Sequence, residues 1–221
     1  MIKLNIMQRR ETIKKIIKTA FGLFVFAFGE YATILGNIGL TPWDALSMGI
    51  RNYVPLTFGQ IHVGSALIIV AIDLLLKEKI GIGTLLDALL VGTFVDMFSA
   101  ILPFTETTNK FAGILLLIIG MFIMALGQLI YMAGGLSCGP RDSLLIAIGK
   151  RLPHVPIGYV DIMMKIILVI VSWLIGGPIG FGTLVAMLGM GSAMQIIFSI
   201  FKFEPRNVIH EGLIDSIKKL L

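Results

Sequence analysis

A single cysteine, Cys138, stands in the 221 residues, so no internal disulfide staples the chain and nothing in it depends on an oxidising compartment. Charge is scarce as well: 14% of the residues are Asp, Glu, Lys or Arg, against 57% hydrophobic, and mean hydropathy is +0.95. A soluble domain of that composition would have too little polar surface to face water, which excludes the soluble classes. There is no Gly-rich phosphate loop and no serine elbow, and His62, His154 and His210 are scattered without metal-ligand spacing. The sequence thus points away from an enzyme and implies neither cofactor nor metal.

What the chain has instead is apolar length. Crossing about 30 Å of hydrocarbon takes about 20 helical residues. Runs of that size, bounded by Gly, Pro and charge, lie near 19–38, 58–76, 81–102, 111–135, 157–175 and 180–201. The expected fold is all-α, a polytopic membrane bundle of about six transmembrane helices forming a single membrane domain over 1–221. Two shorter segments, 42–53 and 140–152, begin with Pro at a first helical position and are closed by Pro55 and Pro153. At roughly 18–20 Å each is too short to span, so they read as half-helices dipping into the protein.

With six spans and a cytoplasmic N-terminus, 15 Lys and Arg residues fall inside and 2 outside, with Lys165 within a span. Both termini are then cytoplasmic. The segments 1–18 and 205–221 are expected to be interfacial and amphipathic. The first is rich in Lys and Arg and reads as the start of a retained first helix, not a cleaved signal. On the second, Ile209, Leu213, Ile217 and Leu220 oppose Arg206, Glu211, Asp215, Lys218 and Lys219. The partner for this basic balance is the lipid bilayer and not nucleic acid. Six spans are compatible with a homodimer, which nothing in the sequence specifies.

The chain is internally duplicated. Shifted by 98 residues, 21–50 matches 119–148 at 9 of 30 positions, including Gly22, Gly29, Gly36, Pro42 and Asp44. Shifted by 99, 59–98 matches 158–197 at 11 of 40, including Ile80-Gly81-x-Gly83-Thr84-Leu85 against Ile179-Gly180-x-Gly182-Thr183-Leu184. The unit is span, half-helix, span, span, with repeat 1 over about 19–102 and repeat 2 over about 111–203. Three spans per unit force the second copy to insert inverted. Inverted repeats with broken helices recur in secondary transporters, whose half-helix ends form the binding site.

The half-helices open with Thr41-Pro42-Trp43-Asp44 and Gly139-Pro140-Arg141-Asp142. Capping accounts for Thr41, Asp44 and Asp142 on its own. When such ends are buried, their free N–H groups and positive dipole also hold an anionic or zwitterionic group, with Arg141 offering a fork for carboxylate or phosphate. Thr41, Asp44, Arg141 and Asp142 are therefore the candidate substrate-binding residues.

Ionisable residues inside spans form a second set, candidates for coupling or buried charge: Glu30, Asp87, Asp96 and Lys165. Glu30 has Gln128 as its repeat mate, and Lys165 has Asp161 one turn away as a helix-face partner. Asp73 sits close enough to Lys77 to snorkel. Gln60 and Gln195 read as polar glue between helices, the glycines as close helix contacts, and Met187 to Met194 as packing.

The stretches Pro42-Trp43-Asp44-Ala45-Leu46, Gly134 to Leu144 (GGLSCGPRDSL) and Gly176-Gly177-Pro178-x-Gly180-x-Gly182-Thr183 resemble the YczE branch of the bacterial YczE/YyaS/YitT membrane proteins. The resemblance covers almost the whole chain. It implies a bacterial plasma-membrane protein of unassigned biochemistry, with some relatives linked to secondary-metabolite production, and it carries over no site residues. Two functional expectations follow. The first is a small-molecule secondary transporter or exporter that rocks its two units around Asp44, Arg141 and Asp142, with Glu30 or Asp96 handling a coupling proton. The other is a membrane-anchored regulatory or scaffold protein for a cytoplasmic biosynthetic partner.

Overall fold

The computed structural model describes residues 2–102, 104–208 and 211–220. Among these described residues nine α-helices follow in order: α1 (Ile2–Gly36), α2 (Pro42–Arg51), α3 (Phe58–Leu75), α4 (Ile82–Ile101), α5 (Lys110–Met132), α6 (Pro140–Arg151), α7 (Ile157–Leu174), α8 (Phe181–Ile200) and α9 (Leu213–Leu220). Six of them, α1, α3, α4, α5, α7 and α8, are long and apolar enough to cross a membrane. No strand occurs among the described residues. The all-α bundle of six spans with two short helices is the expected one.

The ends of the chain differ from expectation. Residues 2–18 are no separate segment but the first turns of one 35-residue helix. Lys, Arg, Gln and Glu are good helix formers and no Gly or Pro interrupts before Gly22, so the helix simply continues beyond the bilayer, reaching roughly 50 Å. At the other end the helix is confined to Leu213–Leu220, and Ile209 and His210 lie outside the described residues. The segment before it is tied to the bundle: Glu211 N donates to Gly135 O at 2.9 Å, and Leu213 N to Ile80 O at 2.9 Å. The Glu211 side chain is held by Lys15 and Lys219. Burial alone would raise the Glu211 pKa, but those two lysines outweigh it and hold the carboxyl below its usual value.

The centre of the bundle is the α1/α5 pair. Here Gly22 faces Gly127, Gly29 faces Gly120 and Gly36 faces Gly113. The pairs move toward the start of α5 as they move along α1, so the helices run antiparallel. A methyl group on Gly29 would lie 2.6 Å from Gly120 O and 2.6 Å from Met124 N, both backbone atoms, so only glycine permits this approach. Leu23, Ala27 and Tyr31 on α1 pack with Val91, Val95 and Phe98 of α4 into the larger core, while Leu117, Met121 and Ala125 of α5 pack with Ala186 and Ala193 of α8.

Local geometry recurs at the spacing of the duplication. Gly83 N donates to Leu136 O at 2.7 Å, and Gly182 N to Ile38 O at 2.7 Å. Left-handed backbone occurs at Asn37 and Gly135, at Gly39 and Ser137, and at Lys77 and Gly176. One contact is not repeated. On α3 and α4, Gly59 meets Gly92 backbone to backbone, whereas methyl groups on their counterparts Gly158 and Gly191 would meet nothing within 4 Å. Helices α7 and α8 therefore splay where α3 and α4 close.

Asp73 does not snorkel: it is fully buried. Gln60 is not glue between helices either. Its Oε1 accepts from Thr57 N at 3.0 Å and completes a capping box at the start of α3.

Candidate functional site

The two half-helices meet by their N-termini in the middle of the bundle. On α2, Pro42 supplies the fixed φ of a first turn, and the Thr41 hydroxyl donates to Asp44 Oδ2 at 2.6 Å while accepting from Asp44 N. That seats the Asp44 carboxylate, fully buried, at the helix end. On α6, Pro140 holds the same first-turn place, but the cap residue Gly139 has no side chain to bond the helix end. Arg141 then reaches across, with Nη1 3.3 Å from Asp44 Oδ1. Its guanidinium carbon lies 5.3 Å from the Trp43 ring centroid. Trp43 and Arg141 are counterparts under the 98-residue shift, so the two repeats touch here through equivalent positions.

Around this pair stand Glu30 from α1 and His62 from α3, at 0% and 3% exposure. His62 Nδ1 is 3.4 Å from Glu30 Oε1 and 3.4 Å from Arg141 Nη2. Neither Glu30 oxygen meets a hydrogen-bond donor among the described residues. One ligand atom from each of Glu30, Asp44 and His62 falls within 4.8 Å of the others, so the trio has the donor set of a cation site. Asp87 of α4 lies against Gly139, where a methyl group would meet its Oδ2 at 2.8 Å. Tyr131 of α5 donates to Asp142 Oδ2 at 3.4 Å.

Two cavities open from this layer. A small one of about 90 Å³ lies among His62, Asp87, Gln128, Tyr131 and Asp142. A larger one of about 340 Å³ has Thr41, Trp43, Arg141, Asp142 and Lys165 on its polar side. Met187, Met190 and Met194 of α8 face them. It occupies the gap left by the splay of α7 and α8. Lys165 reaches this cavity while bonded to Asp161 at 2.6 Å. Chemically, two helix dipoles and Arg141 suit a carboxylate or phosphate, while Asp142 suits an ammonium.

Of the residues singled out from sequence, Thr41, Asp44, Arg141, Asp142, Glu30 and Asp87 come together, and Lys165 borders the same cavity. Asp96 stands apart. It accepts from Gly59 N at 2.9 Å and from the Thr57 hydroxyl, so its carboxylate is committed to the start of α3. His62, Tyr131 and Trp43 had no site role in the sequence reading. The duplication held a signal for two of them, since Trp43 is the counterpart of Arg141 and His62 that of Asp161. His62 lacks metal-ligand spacing because its partners come from other helices.

The sequence matches a family described as "Family of unknown function (DUF6198)" over residues 13–199. The "Uncharacterized membrane protein YczE" of Bacillus subtilis (strain 168) is 35% identical over 177 residues, 79% of this chain and 80% of that protein. An "Uncharacterized protein" of Haemophilus influenzae is 30% identical over 190 residues, 85% of this chain and 84% of its own. The "Uncharacterized protein YyaS" of B. subtilis is 25% identical over 189 residues, 84% of this chain and 93% of its own. No solved structure matches significantly. The resemblance to YczE and YyaS drawn from the half-helix motifs therefore holds across most of the chain.

Proposed function

The chain belongs to DUF6198, a family without an assigned activity, and from its site we propose a secondary transporter or exporter of small anionic or zwitterionic molecules in the bacterial plasma membrane. One observation carries the reading. Arg141, on the second half-helix, is paired with Asp44 on the first at 3.3 Å, beside a cavity of about 340 Å³. Two half-helices meeting end to end at a polar cavity form the kind of centre around which repeat-built transporters alternate access.

Inverted repeats are part of this proposal. The antiparallel glycine pairs of α1 and α5, the matched bonds from Gly83 and Gly182, and the recurrence of left-handed backbone all support them. Cytoplasmic termini are supported by the basic residues that fall on that side, and by Lys15 holding Glu211, which keeps the two ends together. In this reading Thr41, Arg141 and the two half-helix N-termini take the substrate's anionic group, and Asp142 takes a cationic one when present. The Arg141–Asp44 pair opens as substrate competes for the guanidinium.

The test compares small metabolites inside and outside cells lacking the gene, cells carrying it, and cells carrying Asp142→Asn at equal membrane abundance. A compound whose distribution changes is then assayed in proteoliposomes. The reading requires at least one such compound and loss of its flux in Asp142→Asn. Flux that survives neutral substitutions at Asp44, Arg141 and Asp142 overturns the site, and an unchanged metabolite distribution overturns transport.

A further inference from the structure

We propose that Glu30, Asp44 and His62 form a buried binding site for one monovalent cation, a proton or Na+, directly behind the Arg141 guanidinium. The inference concerns binding alone and does not rest on the transport reading.

The first observation is the isolation of Glu30. Its carboxyl is fully buried, and neither oxygen meets a donor among the described residues. Leaving such a group bare costs several kcal/mol, and natural interiors rarely do so. Its nearest polar neighbours are the Asp44 carboxylate, an acceptor, and His62 Nδ1 at 3.4 Å. That nitrogen also lies 3.4 Å from Arg141 Nη2, and arginine only donates. A lone pair on Nδ1 facing Arg141 leaves that nitrogen without a proton to offer Glu30. Two carboxylates then face one point with no donor between them and the His62 ring as its wall, which is what a small cation requires.

Charge fixes its valence. Glu30 from α1 and Asp44 from α2 bring two negative charges, Arg141 from α6 returns one positive, and neutral His62 from α3 adds none. One monovalent cation closes this balance. A dication would leave one excess positive charge beside a guanidinium that already touches Asp44 and His62. Asp87 from α4, Tyr131 from α5 and Asp142 of α6 face the far side of Arg141 across the small cavity and reinforce the negative field without joining the trio. The duplication shows that the site is specific to one half. The counterparts of Glu30 and His62 are Gln128 and Asp161, so the second repeat keeps Asp142 but loses the cluster.

Trp43 is a built-in reporter, because it stacks on the arginine that the cation adjoins. The experiment uses the full chain in detergent with Trp173→Phe, which leaves Trp43 as the sole indole. Its fluorescence is followed as Na+ replaces N-methylglucamine at constant ionic strength in alkaline buffer, and separately as pH is lowered without sodium. A saturable single-site change is expected in one of the two titrations. A response to Na+ identifies sodium; a flat sodium titration with a one-proton pH response identifies the proton.

Glu30→Gln is expected to abolish the response and Glu11→Gln, on the exposed side of α1, to leave it intact. If Glu30→Gln fails to fold, His62→Asn is expected to move the midpoint by roughly tenfold in Na+ or about one pH unit. The proposal is overturned if the parent protein responds to neither cation, if only Mn2+ or Zn2+ evokes a response, or if the midpoint is the same in the Glu30 or His62 variant as in the parent.

Discussion

Adding one methyl group at Gly92 should have a very different effect from adding it at Gly191, although the duplication makes the two positions equivalent. At Gly92 the new carbon would fall below 3.0 Å from Gly59 O, with Gly59 C and Cα at 3.1 Å. All three are backbone atoms, so no side chain can swing away and α3 must shift from α4 by about 1 Å, an overpacking that costs about 1–3 kcal/mol. The shift also stretches the bond from Gly59 N to Asp96 Oδ1, now 2.9 Å, out of hydrogen-bonding range. Its loss adds about 1 kcal/mol. At Gly191 nothing lies within 4 Å, and Ala there gains up to about 1 kcal/mol of helix propensity. The two variants should therefore differ by about 2–4 kcal/mol, or roughly 4–16 °C in Tm for a chain of this size. Thermal unfolding of the purified variants in one detergent reads this directly. Midpoints within about 2 °C of each other would refute the closed-against-splayed asymmetry of α3/α4 and α7/α8.

Three further outcomes follow from the same contacts. Arg141→Met leaves the buried Asp44 carboxylate without its cation and should cost about 3–5 kcal/mol, read as a lowered Tm that Asp44→Asn in the same chain partly restores. Glu211 titrates below its usual value of 4.5 because Lys15 and Lys219 hold it. A carboxyl with a depressed folded-state pKa stabilises fully above its unfolded value and loses that contribution as pH falls through the folded one. Protection of the α9 amides in hydrogen exchange should thus be constant near neutrality, fall in the acid range, and already be lost at neutral pH in Glu211→Gln. Ser137 has φ 91° where its counterpart Gly39 has φ 110°, so Ser137→Gly should relieve strain and raise stability by about 1 kcal/mol in the same unfolding assay.

Much of the architecture was legible because it depends on composition and local punctuation. Six apolar runs, Pro at the start of each half-helix and the repeated Ile-Gly-x-Gly-Thr-Leu are properties of neighbouring residues, and helices α2 to α8 begin and end within a few residues of where those signals fall. The amphipathic stretch at the end was less legible. Its helix is short because Glu211 N and Leu213 N are drawn to Gly135 and Ile80, contacts from distant parts of the chain. Asp96 looked like a buried coupling charge and is a cap for α3, since the free N–H it meets belongs to another helix.

The sequence by itself determined that this is an all-helical membrane chain, because hydropathy is written along the chain, and its internal duplication is the ground for proposing two copies of one unit. It also singled out Asp44, Arg141 and Asp142 by their place at the mouths of the half-helices, although capping alone accounts for the two aspartates. Only the tertiary structure decided that Arg141 pairs with Asp44 and stacks on Trp43, that His62 joins Glu30, and that α7 and α8 part where α3 and α4 close. Those are distances between helices far apart in the chain, and they are set by how closely glycine faces let the backbones approach, which no periodicity in one segment encodes.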